Sequence, residues 1–313
     1  MRIKYGSYGI TALGSSAAVG VAGYFGGGYD SANLSGIDKI TFPADTKTTL
    51  SATLTTARQG MAGMANSGVA GYFGGGYDGG YLTGVDKITF PADTKTTLSA
   101  TLSFGPYFAA GMANSGVAGY VCGGYDTVNF LSGINKITFP ADTRTSLSAT
   151  LTGGNNTSTG MANSGVAGYV GGGQNAVNFL DGIDKITFPA DTKTTLSATL
   201  SSQRRFLAGM AASGTAGYFG GGGGSSGYIS GIDKITFPAD TKTTLSATLT
   251  TARNALAGMA ASGTAGYCGG GGDSGNISGI DKITFPADTK TTLSATLTTA
   301  RLYLGGMADS GIL

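Results

Sequence analysis

The chain has 313 residues, 41% of them hydrophobic, with 57 glycines, no histidine and a formal net charge of +2. Glycine and proline together stay below the fraction typical of low-complexity disorder, so a packed core is expected. The near-neutral charge argues against a nucleic-acid partner. No apolar run is long enough to predict membrane insertion, and the N-terminal residues lack the apolar core of a signal peptide.

A nineteen-residue segment, GIDKITFPADTKTTLSATL, begins at residue 36 and occurs six times, two of the copies being slightly changed. The copies occupy residues 36–54, 84–102, 133–151, 182–200, 231–249 and 279–297. The phenylalanine of FPADT therefore recurs every 48 or 49 residues. A period of this size is typical of propellers, solenoids and other repeat arrays.

Each repeat predicts four short strands in chain order. In the second unit they fall within residues 60–67, 68–78, 83–90 and 94–102, and the last two alternate apolar and polar positions with a period of two. The sequence NSG predicts a tight turn after the first strand. The sequence PADT predicts another turn between the third and the fourth strands.

Four antiparallel strands per unit predict an all-β fold, a six-bladed β-propeller. The chain begins with a second strand and ends with a first strand, so residues 303–311 are expected to pair with residues 19–27 and complete the first blade. Such closure removes exposed strand edges. The alternative is a β-solenoid, whose coils are usually shorter and whose end repeats are capped. We expect an N-terminal extension at 1–16 and one propeller domain at 17–313.

The unit GMANSGVAGYFGGGYDGGYLTGVDKITFPADTKTTLSATLTTAR resembles a Kelch repeat, and the resemblance covers roughly residues 17–313. The Kelch pattern carries a tryptophan on the fourth strand, where this unit has Thr97. Positions that match the pattern are Gly74, Gly75, Phe90, Thr94, Arg58, Arg253 and Arg301. The array is also similar to uncharacterised repeat proteins of tailed phages. This second resemblance implies a virion or an extracellular surface as the location.

The six copies differ mainly in two segments, one between the second and third strands and one between successive blades. Because strands alternate in direction, both segments are expected on one face of the ring, and the NSG and PADT turns on the other. Loops on a rigid scaffold commonly carry binding sites. The alternative is that these segments drift because they carry no packing constraint, although tight turn chemistry explains only part of the constancy of NSG and PADT.

The variable segments contain aromatic side chains suited to stacking on sugars, and polar ones suited to hydrogen bonding. They predict a non-enzymatic binding or structural module. The resemblance to tailed-phage proteins implies that this module is a virion tail or adhesion protein that recognises a host-surface glycan or protein, or other virion proteins. No catalytic residue, metal or cofactor is predicted. The candidate ligand-binding residues are Tyr29, Asp30, Tyr77, Asp78, Tyr81, Tyr107, Phe108, Tyr125, Asp126, Asn129, Phe130, Asn178, Arg204, Arg205, Phe206, Tyr228, Asp273 and Tyr303.

A glycan-active propeller enzyme is the alternative function. Glycoside hydrolysis needs two neighbouring carboxylates, and the chain has no glutamate. The variable segments supply scattered aspartates only, at Asp30, Asp78, Asp126, Asp181 and Asp273. A calcium site at the first three of these is another alternative, although one carboxylate per blade is a weak ligand set.

Several repeated residues have structural interpretations. Cys122 and Cys268 fall in opposite blades, too far apart for a disulfide, so both are expected to be buried free thiols. The methionines of the first strands are expected to pack within the ring. The repeated charges at Asp38, Lys39, Asp45 and Lys47 are expected to form hydrogen-bonded turns and ion pairs at blade edges.

Overall fold

A computed structural model describes residues 22–311, so the extension predicted at 1–16 lies outside the described residues. Within the described range the chain forms 28 strands and no helix. The all-β prediction is therefore confirmed. None of the described residues belongs to a helix that is long and apolar enough to cross a membrane.

Twenty-four strands form six four-stranded antiparallel sheets, which are the blades of a six-bladed propeller. From the innermost strand outward, blade 1 comprises Gly305–Ala308, Ala22–Gly26, Ile37–Thr41 and Thr46–Thr49; blade 2 comprises Ala62–Asn66, Ala70–Gly74, Val85–Thr89 and Lys95–Thr97. Blade 3 comprises Ala110–Asn114, Ala118–Cys122, Ile134–Thr138 and Thr143–Ser146; blade 4 comprises Thr159–Asn163, Ala167–Gly171, Ile183–Thr187 and Thr192–Thr195. Blade 5 comprises Ala208–Ala212, Ala216–Gly220, Ile232–Thr236 and Thr241–Thr244; blade 6 comprises Ala257–Ala261, Ala265–Gly269, Ile280–Thr284 and Thr289–Thr292.

The remaining strands belong to two small hairpins between the second and third strands of a blade. Blade 1 carries Tyr29–Asp30 paired with Ala32–Asn33, and blade 5 carries Gly223–Gly224 paired with Gly227–Tyr228. The sequence did not predict these hairpins. Their strands have only two residues each, too few for a period-two pattern to be visible.

Blade 1 is built from both ends of the described chain. Strand Gly305–Ala308 pairs antiparallel with strand Ala22–Gly26, and Met307 lies opposite Tyr24. The backbone N–H of Asp309 continues the ladder by donating a 2.9 Å hydrogen bond to the first carbonyl of the partner strand. The predicted closure of the ring by the C-terminal strand is therefore confirmed, although residues 19–21 of the predicted pairing lie outside the described residues.

The innermost strands approach one another closely because each has glycine at its second position. A methyl group on Gly63 would overlap the carbonyl oxygen of Gly306 in the preceding blade, and Gly111 stands in the same relation to Gly63. The six equivalent residues are Gly63, Gly111, Gly160, Gly209, Gly258 and Gly306. A side chain at any of them would force the inner strands apart, so the narrow axis of the ring requires glycine.

Each PADT turn binds the preceding blade. The hydroxyl of Tyr24 in blade 1 donates a 2.8 Å hydrogen bond to Asp93 of blade 2, and Lys39 donates one of 2.7 Å to the other oxygen of that carboxylate. The ring of Phe90 stacks on Tyr24 with centroids 5.1 Å apart. The same contacts recur at all six interfaces. The constancy of this turn therefore has a packing cause.

The prediction of ion pairs at blade edges accounts for only some of the repeated charged residues. Lys47 does lie on an outermost strand, with its ammonium 3.7 Å from Asp38. Asp38 itself is only 1% exposed and accepts hydrogen bonds from Arg301 and Thr298, so it lies at the interface of blades 6 and 1. Asp45 also belongs to an interface between blades, where it accepts hydrogen bonds from the preceding one.

The methionines of the innermost strands and both cysteines are buried, as predicted. Met64 is fully buried, and its sulfur lies where a methyl group on Gly119 of the next blade would be. Each innermost-strand methionine thus packs against a glycine of the following blade. Cys122 in blade 3 and Cys268 in blade 6 are free thiols with no exposed surface.

Candidate functional site

The two variable segments of every blade lie side by side on one face of the ring, which we call the variable face. In blade 2 an antiparallel bridge joins Gln59 to Tyr77, and a second bridge joins Tyr77 to Tyr81. Bridges equivalent to the first join Tyr29 to Leu302, Tyr107 to Tyr125, Asn156 to Gln174, Arg205 to Gly223, and Asn254 to Gly272. The variable segments are therefore ordered extensions of the blades, which hold their side chains in fixed positions.

At the axis the variable segments form a closed ring of six backbone hydrogen bonds. Each N–H donates to the carbonyl of the preceding member at 2.8–2.9 Å. The members are Gly60, Phe108, Thr157, Phe206, Ala255 and Tyr303. The φ angles of the five non-glycine members lie between 56° and 59°. This left-handed conformation is costly for residues with side chains, and the cyclic hydrogen bonding holds it in place.

Three aromatic side chains of this ring converge over the axis, and we call them the aromatic triad: Phe108, Phe206 and Tyr303. Their centroids lie 4.9, 4.9 and 5.2 Å apart. They come from alternate blades, 3, 5 and 1. The intervening blades supply small residues at the equivalent positions, namely Gly60, Thr157 and Ala255. Part of the variety between copies therefore has a packing cause, because six large side chains would crowd the axis.

The axial channel itself is too small to hold a sugar. Beneath the aromatic triad it contains a cavity of about 90 Å³, well below the roughly 300 Å³ at which small-ligand sites begin. The walls include the inner-strand glycines and apolar side chains such as Met61, Leu207 and Leu256. Any ligand larger than a few atoms must therefore bind outside the channel.

Five aromatic residues from blades 2 and 3 form a tyrosine cluster on this face: Tyr77, Tyr81, Tyr107, Tyr125 and Phe130. Tyr77 lies 5.3 Å from Tyr81 and 5.2 Å from Tyr107, measured between ring centroids. Tyr125 lies 6.1 Å from Tyr81 and 5.3 Å from Phe130. The cluster is continuous with the aromatic triad, since the ring centroids of Tyr107 and Phe108 lie 3.6 Å apart. All five side chains are partly exposed.

The hydroxyl groups of Tyr107 and Tyr81 stay protonated at neutral pH. Burial raises the pKa of Tyr107 above its usual range, and the nearby hydroxyls of Tyr303 and Tyr77 raise it further. Burial and the neighbouring Tyr125 raise the pKa of Tyr81 as well. Neutral tyrosines can both donate and accept hydrogen bonds, so the cluster offers aromatic faces together with polar edges.

Beside the tyrosine cluster an open groove of about 450 Å³ runs between the loops of blades 3, 4 and 5. We call it the amide groove, and its lining is Phe130, Gln174, Asn175, Ala176, Val177, Asn178, Phe179, Gln203 and Ser225. The volume falls within the range of small-ligand sites. Its lining combines two aromatic rings with amides and a hydroxyl, and none of these residues is charged.

The two neighbouring arginines of this face have different environments. Arg204, predicted as a ligand-binding residue, is fully buried and pairs with Asp233 at 2.7 Å, so that prediction is wrong. The guanidinium of Arg205 lies on the variable face, 4.6 Å from the centre of the Phe179 ring and 5.2 Å from that of Phe206. Arg205 also donates a hydrogen bond to the side-chain oxygen of Gln174 in the amide groove.

The predicted aspartates mainly stabilise their own loops. Asp78 accepts a 3.0 Å hydrogen bond from the N–H of Gly80, and Asp126 accepts a 2.7 Å bond from the N–H of Asn129. Asp273 accepts a similar bond within its own turn. These carboxylates belong to different blades. No group of three potential metal ligands occurs among residues 22–311.

The remaining predicted residues are spread around the face. Tyr29 is 36% exposed and Tyr228 49% exposed, and Asn129 and Asn178 are exposed at loop tips. Asp30 accepts a 3.0 Å hydrogen bond from the side chain of Asn276, which links the loops of blades 1 and 6.

The sequence analysis predicted two lining residues of the amide groove, Phe130 and Asn178. The seven that it missed are Gln174, Asn175, Ala176, Val177, Phe179, Gln203 and Ser225. A signal for Phe179 was present, because the sequence NFL occurs in both blade 3 and blade 4. Phe179 therefore aligns with Phe130, which was predicted. The two glutamines gave no comparable signal, since neither has a counterpart in the other copies.

No model of a known protein family matches the sequence, and no curated protein matches it as a relative.

Proposed function

We propose that the protein is a non-enzymatic binding module that holds a host-surface glycan on its variable face. The tyrosine cluster carries this proposal. Five partly exposed rings from two adjacent blades lie together on a rigid scaffold, and aromatic rings with polar edges are suited to surfaces that are part apolar and part wet, such as sugar rings. Binding sites commonly combine such surfaces with a few fixed polar groups, which the amide groove provides.

No observation favours the alternative of glycan hydrolysis. That chemistry needs two carboxyl groups on either side of one glycosidic bond. The carboxylates Asp78, Asp126 and Asp273 lie in three different blades, and each accepts hydrogen bonds within its own loop. The propeller fold itself is consistent with a binding or structural module and does not specify a reaction.

We also propose Kelch kinship and a position on the surface of a tailed-phage particle, both of which rest on the sequence resemblance alone. Immunogold labelling of purified particles tests the second statement. Label on the tail or its fibres supports it, whereas a particle preparation that contains none of this protein contradicts it. The glycan proposal does not depend on that result.

Alanine substitution on the two faces tests glycan binding. After a glycan array identifies a bound sugar, Tyr81→Ala and Tyr125→Ala are each expected to weaken its binding about five-fold, since an aromatic contact contributes about 1 kcal/mol. The control is Val117→Ala, which removes a 45% exposed side chain from the opposite face of blade 3. Equal losses for all three variants, or an array without any bound glycan, would overturn the proposal.

A further inference from the structure

One position of the variable face carries an aromatic residue in four consecutive blades. In each blade, two residues of the loop between the second and third strands pair through their backbones. The position in question is the second residue of that pair, as Tyr81 is in its bridge with Tyr77 in blade 2. In blades 2 to 5 it is Tyr81, Phe130, Phe179 and Tyr228, which we call the aromatic arc. Because the same backbone pairing holds each residue, the four rings occupy equivalent places around the axis.

The arc is open at one side of the ring. Blades 6 and 1 carry Asn276 and Asn33 at the equivalent position. The side-chain amide of Asn276 donates a hydrogen bond to Asp30, so at this position the side chain links the loops of blades 6 and 1. The aromatic surface is thus a curved track with two ends, rather than a complete circle.

All four rings of the arc are accessible, to different extents. Tyr228 is 49% exposed, and the other three are partly exposed. Phe130 and Phe179 form part of the lining of the amide groove, between the ends of the arc. A ligand that follows the arc would therefore meet aromatic faces in every blade and neutral amide groups in the middle.

The charges near the arc disfavour an anionic ligand. Every lysine of residues 22–311 lies on a third or outermost strand, where six of them pair with the PADT aspartates. Among residues 22–311, Arg205 is the one arginine of the variable face that is not buried in an ion pair, and its guanidinium is stacked on two phenylalanines. The carboxylates of Asp78 and Asp126 stand in the loops beside the arc. A polyanion would meet like charge in the loops of blades 2 and 3, and the guanidinium of Arg205 is held by two aromatic rings and by Gln174.

We propose that the arc binds an extended, uncharged oligosaccharide chain that runs across the variable face from blade 2 to blade 5. This inference rests on the proposed function and specifies its ligand: a linear neutral polymer, rather than a single terminal sugar or an acidic glycan. Contacts spread over four blades give an affinity that grows with chain length until the chain spans the arc, because each further contact adds to one association.

Chain length provides the test. Neutral oligomers of one to ten units from four backbones, β-1,4-glucan, α-1,4-glucan, β-1,4-galactan and β-1,4-linked N-acetylglucosamine, are titrated by calorimetry, with oligogalacturonates as the acidic comparison. We expect at least one neutral series to gain more than ten-fold in affinity from its shortest to its longest members. The acidic series should bind at least ten-fold more weakly at equal length.

Variants at the middle and the far end of the arc complete the test. Phe179→Ala and Tyr228→Ala should each weaken binding of the long chain about five-fold, whereas Asn276→Ala, the equivalent position outside the arc, should leave it unchanged. Affinity that does not depend on length, or long-chain binding unaffected by Tyr228→Ala, overturns the arc while the Tyr125→Ala loss still supports the proposed function. Tighter binding of the acidic series, or absence of binding in every series, also overturns the arc, whereas only an array without any bound glycan or equal losses on both faces overturns the proposed function.

Discussion

The hydroxyl of Tyr267 in blade 6 donates a 2.8 Å hydrogen bond to the carboxylate of Asp45 in blade 1, although 222 residues separate them. Lys282 donates to the other oxygen of that carboxylate at 2.7 Å. The same arrangement connects neighbouring blades elsewhere in the ring, as between Tyr72 and Asp142. The interface that closes the ring is thus chemically the same as the interfaces between consecutive repeats.

Because the interfaces are equivalent, the same substitution at the closing interface and at another interface should lower stability by the same amount. Asp45→Asn removes the charge at the closing interface, and Asp142→Asn removes it between blades 2 and 3. Each loses charged hydrogen bonds at a partly buried site, worth about 1–2 kcal/mol, and asparagine tolerates the left-handed backbone found at both positions. Both variants are expected to lower the melting temperature by a few degrees, measured by circular dichroism. An effect of Asp142→Asn without one of Asp45→Asn would mean that the ring is open in solution.

The repeat sequence contained most of the information about the scaffold. Constant positions such as Tyr24, Lys39 and Asp93 recur in every copy, and their periodicity predicts four strands per blade. The unmatched first strand at the C-terminus, which includes Met307, predicts closure. These features follow from local patterns and from counting, which need no knowledge of the contacts between blades.

The site was less predictable because its geometry depends on neighbours from different blades. Arg204 and Arg205 are adjacent in sequence, yet one is buried and the other stacks on the variable face. The copies did hold a clue: blade 3 replaces the arginine by Pro106 and the paired aspartate by Asn135 in the same unit. The convergence of the aromatic triad gave no such clue, since it requires the ring to be assembled.

This paired replacement predicts how the buried ion pair responds to substitution. Arg204→Met removes the buried partner of Asp233, leaves only the ammonium of Lys242 at 3.8 Å to balance the carboxylate, and should cost up to about 3 kcal/mol. Adding Asp233→Asn reproduces the uncharged pattern of blade 3, where Asn135 is fully buried and accepts a 2.8 Å hydrogen bond from Ser103. The double variant should therefore be more stable than the single one in urea unfolding. A double variant that is less stable than Arg204→Met would contradict this explanation.

Acid should destabilise the protein through the same carboxylates. Burial alone would raise the pKa of Asp233, but hydrogen bonds from Ser201 and Thr244 and the charge of Arg204 hold it below its usual value. A pKa depressed by folding contributes stability that is fully present above the unfolded value of about 4 and is lost as pH falls through the folded value. Urea midpoints should therefore fall below pH 4, and fall less steeply in Arg204→Met/Asp233→Asn. Equal slopes for the two proteins would show that this pair does not contribute.

The cysteines should react slowly in the folded protein. Burial raises the pKa of the Cys122 thiol far above its usual value and that of Cys268 to about 12. The reactive thiolate is therefore scarce at pH 8, so a disulfide reagent should label both residues only after denaturation. Cys122→Ala/Cys268→Ala should fold and bind as the parent does. Fast labelling of the native protein, or a mass that reveals an intramolecular disulfide, would contradict the buried positions in opposite blades.

At several interfaces between blades a glycine lies opposite a phenylalanine of the next blade, and this pairing gives a last prediction. A methyl group on Gly26 in blade 1 would lie 2.6 Å from the ring of Phe73 in blade 2, so glycine is required opposite phenylalanine. Gly171 and Phe219 repeat this pair between blades 4 and 5. Between blades 3 and 4 the equivalent residues are Cys122 and Val170, which belong to one buried cluster. Where the next blade carries phenylalanine the facing residue is therefore glycine, whereas valine allows a cysteine at this position.

Substituting either Cys122 or Val170 alone should destabilise the protein, and substituting both should restore the packing between blades 3 and 4. Val170→Phe places a ring against the Cys122 sulfur and should cost about 1–3 kcal/mol through overpacking. Cys122→Gly alone leaves a gap and should also destabilise the protein. The double variant recreates the glycine–phenylalanine interface of blades 1 and 2, so its loss should be smaller than the sum of the single losses by more than about 1 kcal/mol. A double-mutant cycle in urea measures this coupling, and simple additivity would show that the two positions do not pack against each other.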